Sequence, residues 1–199
     1  MSPKVATKQD TRQALLEAGM KIMLEKGYTN TGIMEVLSSV GVPKGSFYHF
    51  FESKEDFALA IIAAFNDMYT MKVGKFFNDV SVPPLQRIKN YCLDVKKTLA
   101  EQQCRKGCLI GNLSQEMSDQ SEVLRAALSK IMAKRRDLLA NCIKEGQKLG
   151  EINNAHSADE WAELVQSGWD GAVLRTKTRK ELEPIEVFIK LMFDTVLKP

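Results

Sequence analysis

Apolar residues recur at the three-and-four spacing of amphipathic helices along most of the chain, and the strict alternation of strands is hardly found. Residues 11–26 set Leu15, Ala18, Ile22 and Met23 on one stripe, and Gly27 stands where such a helix ends. Ile33, Val36, Leu37 and Val40 mark a second, short helix with Thr31 as its expected N-cap. After Gly41, Pro43 sits where the first turn of a third would begin. Ser53 opens a long fourth helix to about Asn78, and Pro83 and Pro84 start a fifth that reaches about Gln103. Gly107 and Gly111 bracket a short apolar step. "DQSE" at 119–122 is a capping box ahead of a helix to about Lys148, "SADE" at 157–160 opens one through about Thr178, and Pro184 starts a last amphipathic helix to residue 197. The fold class is all-α, with three short helices and about six others, so about nine in all. A small N-terminal unit rests on a larger helical bundle.

The stretch "VPKGSFYHFFESK", residues 42–54, packs four aromatics into five positions beside a lysine, a glycine, a serine and a histidine. Only Val40 to Val42 separate the second and third helices, which is the spacing of a helix-turn-helix. At about 100° per residue, Phe47, Phe50 and Phe51 share one arc and Lys44, Gly45, Tyr48 and His49 another, with Ser46 between. The first arc fills a small core. The second suits a DNA groove. Lys44 reaches a phosphate or the O6 and N7 of a guanine, Gly45 lets the backbone approach base edges, and the Ser46 hydroxyl donates or accepts. Tyr48 and His49 reach phosphates from the flank, Lys54 adds a cation beside a helix N-terminus, and Thr31 offers the same at the second helix. On pattern alone, such a short helix is more often ordinary core.

Composition changes this picture little. The net charge of +3 decides nothing by itself, and residues 1–54 hold seven cations against five acids. The case for phosphate rests on where Lys44 and Lys54 stand. The first residues lack the apolar core of a signal peptide, and "ALAIIAAF" at 58–65 is too short to span a bilayer, so a soluble cytoplasmic protein with no membrane partner is expected. Four cysteines in such a chain do not suggest a disulfide framework. Cys104 and Cys108 stand four residues apart, but with His49 and His156 the sole histidines and no second cysteine pair, no metal or cofactor is expected.

Residues 11–57, "TRQALLEAGMKIMLEKGYTNTGIMEVLSSVGVPKGSFYHFFESKEDF", resemble the DNA-binding domain of the TetR family of transcriptional regulators. The resemblance implies a helix-turn-helix domain over residues 1–55 and a ligand-binding and dimerisation domain over 56–199. It implies a homodimer on a palindromic double-stranded operator, acting as a repressor that a small-molecule effector releases. Carried over by position, DNA contact falls to Lys44, Gly45, Ser46, Tyr48, His49 and Lys54, with Thr31 on a phosphate, while Phe47 faces the core. The last two helices, 157–178 and 184–197, are implied at the dimer seam.

Two further stretches, "CRKGCLIGNLSQEMSD" at 104–119 and "WDGAVLRTK" at 169–177, are similar to a branch of the family that senses electrophiles and oxidants, the N-ethylmaleimide- and acrylate-responsive repressors. There the resemblance implies Cys108 as sensor and Lys177 as the lysine linked to its oxidised form. Physically, Cys108 falls near the start of a short helix beside Arg105 and Lys106, and cations and a helix N-terminus favour the reactive thiolate. Cys104 is a resolving partner or a mere neighbour. Trp161 and Trp169, eight apart on one helix, line a pocket or the dimer seam. Two alternatives stay open: a regulator with a non-covalent pocket and a structural Cys108, and, remotely, a cysteine-dependent enzyme, for which His49 and His156 are the available bases. The methionines at 20, 23, 34 and 68 read as core filler, and "AKRRD" at 133–137 as a solvated helix face.

Overall fold

Caps and prolines place the helices of the computed structural model, which describes residues 8–199; residues 1–7, the start of the expected DNA-binding segment, lie outside the described residues. The order is α1 (Lys8–Lys26), α2 (Ile33–Ser39), a 3-10 helix (Lys44–His49), α3 (Lys54–Phe77), α4 (Pro84–Glu101), α5 (Leu109–Met117), α6 (Glu122–Lys148), α7 (Ala158–Arg179), α8 (Glu183–Leu191) and a π-helical turn (Met192–Val196). There is no strand among the described residues. The capping box at Ser157 is complete: its hydroxyl accepts from the Glu160 amide, and the Glu160 carboxylate accepts from the Ser157 amide.

Five expectations need correction. The N-cap of α2 is Gly32, not Thr31. The cap of α6 is Ser121, whose oxygen accepts from the Leu124 amide, so the box read at 119–122 is displaced by two residues. The third helix is a 3-10 turn rather than an α-helix, and the last helix gives way to a π-helical turn after Leu191. Met34 and Met68, read as core, are 51% and 59% exposed.

Two apolar cores organise the chain, and α3 runs through both. The first half of α3 (Phe57, Ala58, Ile61, Ile62) packs with α1, α2, the 3-10 helix, α5 and the start of α6. Its second half (Val73) joins the larger core of α4, α6, α7 and α8. Gly19 lets α1 and α3 touch, since a Cβ there would lie 2.3 Å from the Phe57 ring. That ring is pinned, 4.7 Å from Phe51 and 5.3 Å from Phe47, both edges of the same buried cluster.

The small N-terminal unit is also tied to the bundle by α5. The Glu116 carboxylate accepts from the Tyr28 and Thr29 amides, each at 2.7 Å, in the turn between α1 and α2. Gly27 keeps this contact open: its φ is +81°, and a Cβ would meet Glu116 Oε2 at 2.5 Å. Lys54 closes the cluster by donating to the Thr29 carbonyl at 3.1 Å with its ammonium over the Tyr28 ring. Nearby, Ser121 donates to Glu55 at 2.6 Å, and Lys106 pairs with Glu25 at 3.6 Å. Burial works to raise the pKa of Glu116, but the Thr29 and Tyr28 donors and Lys54 outweigh it, and the net shift is downward.

Gly19→Ala gains helix propensity of at most about 1 kcal/mol but overpacks a pinned ring, so a net loss of about 1–2 kcal/mol is expected by chemical denaturation. Glu116→Ala removes two charge-assisted bonds at a partly solvated site, and amide exchange at Tyr28 and Thr29 should quicken roughly fivefold, equivalent to about 1 kcal/mol. Because the folded pKa is depressed, this tie is complete above the ordinary glutamate range. It is lost as pH falls through the lower folded value, and exchange at the two amides, corrected for intrinsic rate, should show that direction.

Candidate DNA-reading surface and thiol-bearing cavity

The 3-10 helix separates its two kinds of side chain as the wheel suggests, with one exception. Phe47 and Phe51 are fully buried, whereas Phe50 lies half-exposed on the edge of the core. Lys44, Gly45, Tyr48 and His49 are exposed, and Ser46 is half-buried. Tyr48 is 62% exposed, braced edge-on against Phe47 at 5.4 Å. Nothing lies within 4 Å of where a Gly45 Cβ would stand, so the backbone there is open to close approach. Behind it, the amide of Ser46 is spent on the Pro43 carbonyl at 3.0 Å.

Thr31 does not belong to this surface. It is 2% exposed, and its hydroxyl donates to the Gly27 carbonyl at 2.6 Å, which closes the turn after α1. A phosphate oxygen has no access to it in this arrangement. Lys54 is half-buried and engaged with Thr29 and Tyr28, and desolvation lowers its pKa.

The cysteines differ sharply. All four are free, and Cys108 alone is not buried. Burial pushes Cys142 up to about 12 and Cys92 further still, which holds both as thiols. Cys104 is buried just past the end of α4, in a left-handed conformation (φ +55°) with its amide on the Leu99 carbonyl. Cys108 is the N-cap of α5, in extended geometry and with no side-chain cap bond.

Cys108 borders two cavities. The larger, of about 330 Å³, lies among α3, α4, α6 and α7 and also has Tyr69, Tyr91, Arg135 and Trp169 in its wall. The smaller, of about 150 Å³, has Cys108 and Lys177 in its wall with Gly107 between loop and helix. Gly107 is required there twice over: its φ is +71°, and a Cβ would stand 3.1 Å from Lys177 Cδ. Burial, and then Lys180, lower the pKa of Lys177. So Cys108, Lys177 and Trp169 are brought together around one junction, while Cys104 lines neither cavity. Trp161 is apart, its indole N–H donating to the Asn153 carbonyl at 3.0 Å.

The cation beside the thiol is one the sequence reading placed in solvent. Arg135 is 6% exposed, its Nη1 lies 3.8 Å from Cys108 Sγ, and its guanidinium stacks 3.7 Å over the Tyr69 ring. By contrast, Arg105 is exposed and Lys106 is drawn off to Glu25. A signal for Arg135 existed: it continues the buried stripe of Leu128, Leu139 and Cys142 on α6. His156 sits against Trp161 at 5.1 Å, and His49 on the exposed 3-10 helix, so neither borders the thiol's cavities. Among the described residues there is no cluster of histidine, cysteine or carboxylate side chains that could hold a metal, and no helix long and apolar enough to cross a membrane.

Comparison with known proteins agrees with this architecture. Residues 15–61 match the model for bacterial regulatory proteins of the tetR family, and residues 84–192 that for the tetracyclin repressor-like C-terminal domain. The HTH-type transcriptional repressor DhaR of Mycobacterium sp. (strain GP1) is 37% identical, over 94% of this chain and 92% of its own. The transcriptional regulator AcuR of Cereibacter sphaeroides is also 37% identical, over 89% and 81%. The crystal structure of the reduced form of E. coli NemR superposes with a TM-score of 0.85 at 29% identity, over 96% and 98%. The chain therefore belongs to the tetR family, whose members are DNA-binding transcriptional regulators and not enzymes.

Proposed function

We propose that the protein is a homodimeric repressor that leaves a palindromic operator when an electrophile or oxidant modifies Cys108, and that it works in the cytoplasm. Residues 1–55 carry the DNA contacts and residues 56–199 the effector site and the dimer seam. The supporting observation is the place of α5. Its N-cap is the one cysteine that is not buried, and near its other end Glu116 holds the turn between α1 and α2. A helix of nine residues, about 13 Å long, thus connects a reactive atom to the reading unit. That a similar repressor, E. coli NemR, has a crystal structure of its reduced form is in keeping with a thiol switch.

In the addition to an activated alkene, the sulfur lone pair forms the S–C bond at the β-carbon. The alkene π pair moves to the α-carbon, which takes a proton from solvent in place of the one the thiol lost. The adduct adds volume at a junction between two cavities, α5 gives way, and the grip on Tyr28 and Thr29 changes with it. On DNA, Lys44 and Gly45 meet base edges, Ser46, Tyr48 and His49 meet phosphates or edges, and Lys54 supplies charge at the rim. Lys177, across the smaller cavity, is the partner for an oxidised Cys108. For the dimer, α7 and α8 present apolar faces: Leu164 and Leu174 on one, Val187 and Leu191 on the other, each 42–52% exposed.

Treatment with N-ethylmaleimide should release wild-type protein from its operator in a gel shift and leave Cys108→Ser bound. If both forms release alike, the thiol is structural and the larger cavity works without covalent chemistry. Lys44→Ala with Tyr48→Ala should weaken operator binding by at least about tenfold at moderate salt without changing the melting temperature. Val187→Asp with Leu191→Asp should shift the protein from dimer to monomer in light scattering.

A further inference from the structure

The larger cavity holds a buried cation that no carboxylate or carbonyl meets in a hydrogen bond among the described residues. The chain buries two arginines, Arg87 at 4% exposure and Arg135 at 6%. Arg87 is fully accounted for. Its guanidinium meets Glu145 through two bonds of 2.9 and 3.0 Å and donates to the carbonyls of Val82 and Phe77. Arg135 has the opposite environment. Its Nε and Nη2 are buried without any hydrogen-bond partner, Nη1 has only the thiol sulfur at 3.8 Å, and among the described residues it forms no ion pair. A buried guanidinium left in that condition destabilises the fold, and an anion arriving in the cavity relieves it.

We infer that the larger cavity is a binding site for an amphipathic monocarboxylate whose carboxylate pairs with the Arg135 guanidinium and whose planar apolar body lies among Tyr69, Tyr91 and Trp169. The shape and chemistry agree. The volume of about 330 Å³ suits a ligand of one or two rings, and the wall is mainly aromatic and aliphatic. The exposed Met68 and half-buried Lys72 line its solvent side. Lys72 is no rival for the anion, since Asp94 already lies 2.5 Å from its ammonium. Asp170 is the one carboxylate in the wall, and it accepts from Gln166 at 3.1 Å rather than from Arg135. Burial raises its pKa, while the Gln166 bond and the Arg135 charge act the other way, so Asp170 attracts the guanidinium across the cavity without hydrogen-bonding to it. The site stands whether or not Cys108 reacts, because its recognition elements are the guanidinium and the rings.

Isothermal titration of the full-length protein with 2-naphthoate and with its neutral isostere 2-naphthamide tests this. One naphthoate should bind per chain, and the amide at least about tenfold more weakly. Arg135→Met should erase that preference, Arg135→Lys should keep part of it, and Asp170→Asn should tighten naphthoate. Naphthoate has no electrophilic carbon for a thiol to attack, so its binding to the reduced, unmodified protein is read without any reaction at Cys108, which keeps this outcome distinct from that of the thiol switch. Should Arg135→Met fail to fold, the naphthoate-to-naphthamide ratio of the wild type and of Arg135→Lys decides. Equal affinity for the acid and the amide, absence of naphthoate binding at millimolar concentration, or an unchanged preference in Arg135→Met would each overturn the inference.

Discussion

The grip of one carboxylate on two backbone amides sets how the reading unit sits on the bundle. Glu116 supplies an acceptor to both Tyr28 and Thr29, amides of the turn that lies outside both α1 and α2. Around it the chain makes room and adds charge: a glycine at 27 for the approach and Lys54 at the start of α3 for the attraction. The aromatic cluster of Phe47, Phe51 and Phe57 then fixes the 3-10 helix on α3. Rigid positions are thus passed from α5 to the turn, from the turn to α2, and from α3 to the reading edge. The unit is not free to pivot independently, because α3 is shared by both cores.

Sharing a helix between two cores has a consequence for coupling. A packed interior does not bend by small degrees; it repacks between discrete arrangements. A disturbance at the N-cap of α5 meets Leu109 and Ile110, both essentially inaccessible to solvent, and they belong to the core of the reading unit rather than to that of the bundle. The thiol therefore stands at a boundary: its own side chain packs against both cores, while the helix it begins belongs to one. That is where a modest change in volume can favour one arrangement over another.

Much of this was legible in the residues. The all-α class, the tight turn before the 3-10 helix and the complete box at Ser157 follow from local rules about periodicity, glycine and caps. What failed did so because tertiary partners decided it. Thr31 has the residue type of an N-cap, but a carbonyl one turn back claimed its hydroxyl, and Gly32 took the cap. Arg135 sits in a run of charges that looks solvated, yet its register on α6 turns it inward between Tyr69 and Cys108. Met34 and Met68 have core chemistry without core positions. Glu116 carries no local mark at all, since its partners are some ninety residues earlier in the chain.

The two buried arginines show why residue type alone does not settle role. Both were placed inside by the helices that carry them, and both face large desolvation costs. At Arg87 the chain answers with a carboxylate and two carbonyls, so the charge locks α4 to α6 and to the loop before it. At Arg135 it answers with a ring face and a sulfur, which stabilise a cation far less than a carboxylate does. A protein whose cavity keeps a cation in that state is biased toward whichever arrangement brings an anion to it. Ligand occupancy and the packing of α3, α5 and α6 around the cavity are then two sides of one equilibrium.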